Sequence, residues 1–273
     1  MKKIIVPFEG PNYPEQCLGL LRELNAISPV RLTAVFAPEV DYSQIWAITG
    51  GMAGATYLPD LGDEDRIVAE TSQRLEGFCR EHAIEVFIHK ERLDFALAII
   101  RKETRFADLL VLDGRHFFEN IDARQPNAYM KEILHTTECP ILLVPEKIEM
   151  PGSIILAYDG SAASVHAIRE FSHLFPEFSG LPATLVYLGG SKDATFPDRE
   201  NIEELVSCYF TEVRLLQLHM DHKDFFSRWL PAQERSWLVT GSYGRSDLSL
   251  LFSKSFISSL IGEHRIPVFM AHR

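Results

Sequence analysis

Two short stretches near the end of the chain carry the residue types that hold phosphate. Trp237-Leu-Val-Thr-Gly-Ser-Tyr-Gly244 is an apolar run that turns at Gly241 and Gly244. Ser253-Lys-Ser-Phe-Ile-Ser-Ser-Leu-Ile261 reads as a helix that opens on a hydroxyl cap. Glycine lets backbone N–H groups approach an anion, and a helix N-terminus adds a partial positive charge. A third stretch, Asp159-Gly160-Ser161, places a carboxylate and a hydroxyl at another strand-to-helix turn. Asp159 or Ser161 would also cap the helix that follows, a local role compatible with ligand contact. Ser253 and Ser255 could act as plain N-caps in the same way, and Gly241 and Gly244 could serve only a tight turn.

Other chemistries find less support. There is no Gly-x-Ser-x-Gly elbow, and Ser161 has no nominated histidine partner, so no nucleophile-base-acid set emerges. Gly50-Gly51-Met52-Ala53-Gly54 lacks the lysine-hydroxyl end of a P-loop and reads as a loop. His219 and His222, with Asp221 between them, lack a third ligand and read as surface histidines, so no metal is expected. Asp63 to Arg66 and Asp198 to Glu204 are charged helix starts, with acids suited to the N-terminal dipole. The cysteines, Cys17, Cys79, Cys139 and Cys208, show no paired spacing and read as small, largely buried side chains.

The 273 residues suffice for one large domain or two ordinary ones. With 46% hydrophobic and 24% charged residues the composition is that of a globular protein. The formal net charge of −11 argues against nonspecific binding to nucleic acid or to an anionic membrane. No apolar run approaches the roughly 20 residues that span a bilayer. The opening Met-Lys-Lys-Ile-Ile-Val-Pro-Phe-Glu-Gly is too short in apolar residues for a secretory signal. A reducing cytoplasm is the expected location.

The chain contains one unit twice. Ile4-Ile-Val-Pro-Phe-Glu-Gly10 aligns with Ile154-Ile-Leu-Ala-Tyr-Asp-Gly160. The register continues through a helical stripe in which Cys17, Leu18, Leu21 and Leu24 fall on Ala167, Ile168, Phe171 and Leu174. Further along, Asp108–Leu112 matches Ser236–Thr240 and Cys139–Val144 matches Ile266–Ala271. The first copy is longer, and its excess is assigned to a loop from Pro38 to Asp65. Expected strands lie near 3–8, 30–36, 84–89, 107–112 and 140–144, then 153–158, 183–188, 213–218, 236–241 and 266–271. Expected helices lie near 13–26, 64–82, 93–104 and 126–136, then 162–175, 199–210, 222–233 and 254–264. Such alternation predicts α/β domains, each an open parallel sheet with helices on both faces. The domains are expected at 1–147 and 150–273, joined across Pro145, Pro151 and Gly152. Duplication predicts halves that superimpose, and a single continuous sheet is expected to end the case for it.

In open parallel sheets ligands sit beyond the carboxyl ends of the strands, where strand order reverses. The turns after the first and fourth strands meet there. In the second copy they carry Asp159-Gly160-Ser161 and Gly241-Ser-Tyr-Gly244.

These motifs, with the closing Ile266-Pro-Val-Phe269, resemble the universal stress protein family in its tandem, Rossmann-like form, over nearly the whole chain. The resemblance implies a regulatory or protective stress-response protein, not an enzyme. It also implies possible binding of ATP or another adenine nucleotide. Ala157, Tyr158 and Asp159 would approach the adenosine, and Val186 would present backbone to the adenine. Gly241, Gly244, Ser255 and Phe256 would line the phosphate and ribose side. ATP-binding members carry glycine, two residues, glycine, nine residues, glycine, then serine or threonine. Here Lys254 stands where the third glycine belongs. Its side chain would either fill the phosphate's space or supply an ammonium contact in place of an amide; loss or weakening is favoured, because a missing glycine removes backbone approach.

In the first copy the corresponding turn is Asp113-Gly114-Arg115-His116, where an aspartate would repel phosphate. Its later segment, Ile121 to Met130, holds Pro126 and no glycine-hydroxyl pair. Nucleotide is therefore expected in the second copy only. The short apolar closing strands invite pairing at sheet edges. In the family these strands pair between subunits, and a tandem chain could pair them internally as a pseudo-dimer. A homodimer of whole chains and an unknown protein partner remain open. A nucleotide-free protein-interaction module of the same fold is the rival reading. A weak nucleotide hydrolase using Asp159 and Ser255 is a further one.

Overall fold

The structure is a computed structural model describing residues 1–9, 12–37, 61–90, 96–113, 133, 136–188, 195–219, 229–233, 235–241 and 266–271. The first half runs β1 (Lys2–Glu9), α1 (Glu15–Ile27), β2 (Val30–Ala37), α2 (Leu61–Glu81), β3 (Glu85–Lys90), α3 (Ala96–Thr104), β4 (Leu109–Asp113) and β5 (Ile141–Val144). The second runs β6 (Ser153–Tyr158), α4 (Ala162–Leu174), β7 (Ala183–Leu188), α5 (Arg199–Ser207), β8 (Val213–Leu218), β9 (Ser236–Gly241) and β10 (Val268–Ala271). Short 3-10 turns stand at Pro176–Phe178 and Leu230–Ala232.

All ten strands join one sheet in the order β3-β2-β1-β4-β5-β10-β9-β6-β7-β8. The strands run parallel within each half and antiparallel only where β5 meets β10, with Phe269 opposite Leu142. Read outward from that seam, both halves give the same order. The registers repeat as well: Ile4 pairs with Leu109 as Ile154 pairs with Trp237. Leu110 accepts its place beside Ile141 as Leu238 does beside Val268. The sheet is thus continuous, the outcome expected to end the case for duplication, and the repeated order and registers overturn that criterion. The closing strands make it so by satisfying each other's edges, and the reversal of polarity at the seam marks where one copy ends. The internal pseudo-dimer is present.

The sheet sorts alternate residues to its two faces. Ile4, Val6, Phe8, Leu142, Ile154, Leu156, Trp237 and Phe269 share a core with α1, α2, α4 and α5. Ile5, Leu110, Ile141, Leu143, Ile155, Leu238 and Val268 form the opposite core, against Ile99 and Ile100 of α3. Each core crosses the seam. Phe171 and Phe175 from α4 and its cap meet Phe269 at ring-centroid distances of 5.2 and 6.1 Å. Lys2 of the first half forms a mostly buried ion pair with Glu177 of the second, and its ammonium lies 5.5 Å from the Phe175 ring centre.

Several expectations need correction. Residues 61–65, assigned to a loop, belong to α2. The stripe in the second copy ends on Leu174, partly buried against the core, where α4 stops, and the cap residue Phe175 turns fully into the core. Residues 208–210 lie past the end of α5. Cys208 is exposed at that end, whereas Cys17, Cys79 and Cys139 are buried. The helix expected near 254–264, and most of those near 126–136 and 222–233, fall outside the described residues; within 126–136, Ile133 and Thr136 are described, and both are helical. Among the described residues no helix is long and apolar enough to cross a membrane.

Candidate functional site at the carboxyl ends of the second-half strands

Strand order reverses between β6 and β9, and both strands end at the same crevice. After β6 the chain turns on Asp159-Gly160-Ser161. The Asp159 carboxylate accepts a hydrogen bond from the Ser161 backbone N–H at 2.9 Å. The Ser161 hydroxyl caps α4, accepting from the Ser164 N–H at 3.2 Å. Gly160 has φ +84°, and a Cβ there would stand 2.9 Å from the Pro197 side chain, so the turn needs glycine on two counts. Asp159 and Ser161 therefore do local backbone work in this structure, and Asp159 is exposed.

Gly241 closes β9. A Cβ on it would lie 2.6 Å from the Ala163 carbonyl carbon and 2.8 Å from the Ser164 nitrogen. The missing side chain is what allows the first turn of α4 to press against the end of β9. That contact brings the positive end of the α4 dipole to the mouth of the crevice. Gly241 thus serves helix-strand packing rather than a turn alone.

Ala157, Tyr158 and Val186 are all buried, the last at 1% exposure. Tyr158 belongs to the core on the α4 side of the sheet and Ala157 and Val186 to the opposite one, and the segment before α5 covers Tyr158. Phe196 stacks on Tyr158 with ring centres 5.7 Å apart and planes 20° apart, and tilts against Tyr187 at 5.3 Å. The Tyr158 hydroxyl donates to the Pro197 carbonyl at 3.2 Å. Burial pushes the Tyr158 phenol upward, and the nearby Asp198 and Asp159 carboxylates add to that. Sequence reasoning did not single out Tyr187, Phe196 or Pro197. Phe196-Pro197-Asp198 just ahead of a helix was the available signal, but nothing local shows which strand ends an aromatic ring will reach. Gly244, Lys254, Ser255 and Phe256 lie outside the described residues, as do His222 and Asp221; His219 is exposed. Among the described residues no cluster of three or more histidine, cysteine or acidic side chains could hold a metal ion.

The first half differs at each point. Asp113 takes the place in β4 that Gly241 takes in β9, opposite Val144 as Gly241 is opposite Ala271. Phe8 and Phe36 stack at 4.8 Å, and Tyr13 meets Phe8 edge-on at 6.0 Å. Beside them a groove of about 380 Å³ lies between α1 and α2, lined by Tyr13, Glu15, Arg22, Arg74 and Phe78 among others. The Arg74 guanidinium covers the Tyr13 ring at 3.8 Å and pairs with Glu15 at 2.7 Å, so its charge is already engaged.

Comparison with known proteins gives the fold a name. No family model matches the chain, and no curated protein matches it. Solved structures do. A universal stress protein from Archaeoglobus fulgidus DSM 4304 aligns over 100% of this chain and 96% of its own, with a TM-score of 0.66 and 15% identity. A protein of Pseudomonas aeruginosa UCBPP-PA14 given the same family name aligns over 100% and 93%, with a TM-score of 0.58 and 14% identity. A protein of unknown function from Pseudomonas aeruginosa PAO1 aligns over 100% and 92%, at 0.59 and 13%. With the repeated strand order, these full-length alignments give this chain the fold of universal stress proteins, built twice into one continuous sheet.

Proposed function

We propose that the chain is a tandem universal stress protein of the cytoplasm, regulatory or protective rather than catalytic, with one adenine-nucleotide site, in the second half. One observation carries this reading. Among the described residues, a helix N-terminus abuts a glycine at the end of the fourth strand only in the second half, so that backbone N–H groups and the helix dipole reach the point where strand order reverses. The phosphates of ATP would lie on that side, and the adenosine beyond β6 and β7. The family motif places Gly244, Lys254, Ser255 and Phe256 around the phosphates and ribose. Calorimetry with ATP on the full chain tests the reading, and Lys254→Gly tests the motif's departure. Tighter binding by the variant assigns Lys254 a blocking role, equal tight binding removes it from the argument, and weaker binding makes its ammonium a ligand. ATP turnover above background would favour the hydrolase reading.

A second reading, a nucleotide-free module acting through protein contacts, draws on the burial of Ala157, Tyr158 and Val186. Purified protein that neither carries nor takes up nucleotide would favour it.

A further inference from the structure

We infer that Phe196 and Pro197 form a resident plug at the base end of the crevice, which an adenine ring must displace before it can bind. The inference rests on the nucleotide reading above and concerns how that site is regulated. Three contacts on the page define the plug. The Phe196 ring lies flat on Tyr158 and against Tyr187, the aromatic pair at the carboxyl ends of β6 and β7. The Pro197 carbonyl takes the Tyr158 hydroxyl. The Pro197 ring sits against Gly160 so closely that any side chain there would collide with it. An aromatic ring on an aromatic platform is the arrangement a nucleobase would itself adopt, so Phe196 and a base compete for one surface. In the first half the equivalent pair, Phe8 and Phe36, stack on each other, and Tyr13 meets Phe8 edge-on rather than lying flat on it.

Phe196 and Pro197 are only half-buried, and Asp198 at the start of α5 is held at φ +41°, a strained backbone for a residue other than glycine. A ligand that binds only the open state has its affinity reduced by the open fraction. Removing the plug should therefore tighten ATP binding without a new contact.

The test is calorimetry on the full-length wild type, Phe196→Ala and Phe196→Leu, each titrated with ATP and with inorganic tripolyphosphate. Thermal melts confirm that the variants fold. The expected result is ATP binding about tenfold tighter or more in Phe196→Ala, a smaller gain in Phe196→Leu, and tripolyphosphate binding unchanged, because a bare phosphate chain does not need the base end. If Phe196→Ala fails to fold, the gain in Phe196→Leu decides. Equal tight binding of ATP by all three proteins would overturn the plug and leave the nucleotide site standing. Weaker ATP binding in Phe196→Ala would make the ring a platform for the base, not a block. An equal gain for ATP and tripolyphosphate would place the effect at the phosphate end and overturn the inference. No ATP binding by any of the three would overturn both the plug and the nucleotide reading.

Discussion

The two halves share strand order, register and an aromatic pair at the ends of their first two strands, yet their mouths are built differently. In the second half Gly241 lets α4 begin at Ala162, hard against the end of β9, on a serine cap. In the first half Asp113 stands at the matching position. There α1 begins at Glu15, about one turn later in the aligned register, behind Pro14, which makes no side-chain cap. The first half therefore has a buried carboxylate where the second has a glycine against a helix end, and this difference is what the proposal of a single site in the second half draws on. A side chain lost or kept at one strand terminus sets how close the neighbouring helix comes, and that closeness decides whether its backbone is available to a ligand.

The widest test asks whether the halves are separable at all. Phe269 lies at the seam and packs on Phe171 and Phe175, fully buried. Phe269→Ala should cost about 3–5 kcal/mol. Denaturation followed by Trp237 fluorescence, in a chain with Trp46 and Trp229 replaced by phenylalanine, and by labelling of buried Cys17 in the first half should give coincident curves. Two separate transitions would show that the shared cores do not couple the halves. A soluble, strictly monomeric fragment of residues 150–273 would carry the same message.

Gly241→Ala probes the difference between the mouths directly. Because the added Cβ meets backbone rather than a movable side chain, the change should cost about 1–3 kcal/mol by overpacking and weaken any anion held at the crevice. An unshifted melting temperature would mean that α4 moves away freely and that the glycine is not what sets its position. Ser161→Ala should cost about 1 kcal/mol through loss of the α4 cap. The matched change Pro14→Ala in the first half should cost less, since no side-chain cap exists there. Equal losses at the two sites would remove the contrast between the helix starts.

The smallest expected effect concerns thiols. Burial pushes the Cys79 thiol up to about 11 and the Cys139 thiol up to about 12. Both belong to the first half, whereas the second half exposes its Cys208. At mildly alkaline pH a thiol reagent should label Cys208 quickly and the buried three only on unfolding. Because the folded state holds these protons more tightly than the unfolded chain, stability should fall as pH rises from about 9, where unfolded thiols ionise, toward 11 and 12. Replacing Cys79 and Cys139 by alanine should flatten that slope. An unchanged alkaline slope would place its origin elsewhere.

Much of the fold was legible in the sequence, because strand burial and helix stripes are local patterns. The ten strands appear within two residues of where apolar runs placed them. The helix boundaries were less secure, as at Leu61 and Ser207, because helix ends answer to caps and packing as much as to periodicity. The site was legible only as a set of motifs. Asp159, Gly160, Ser161 and Gly241 could be marked from their spacing, but the reason for Gly241, the backbone of α4 at 2.6 Å, is a contact between segments far apart in the chain. Phe196 was invisible for the same reason.

By itself the sequence determined that one unit occurs twice, which residues turn inward, and which half carries the glycines that phosphate binding would need. These follow from composition and period, properties each segment carries alone. The tertiary structure decided that the closing strands pair to make one sheet, that the helix start meets Gly241, and that Phe196 lies on Tyr158. Those depend on distances between segments remote in the chain, which packing around two shared cores sets.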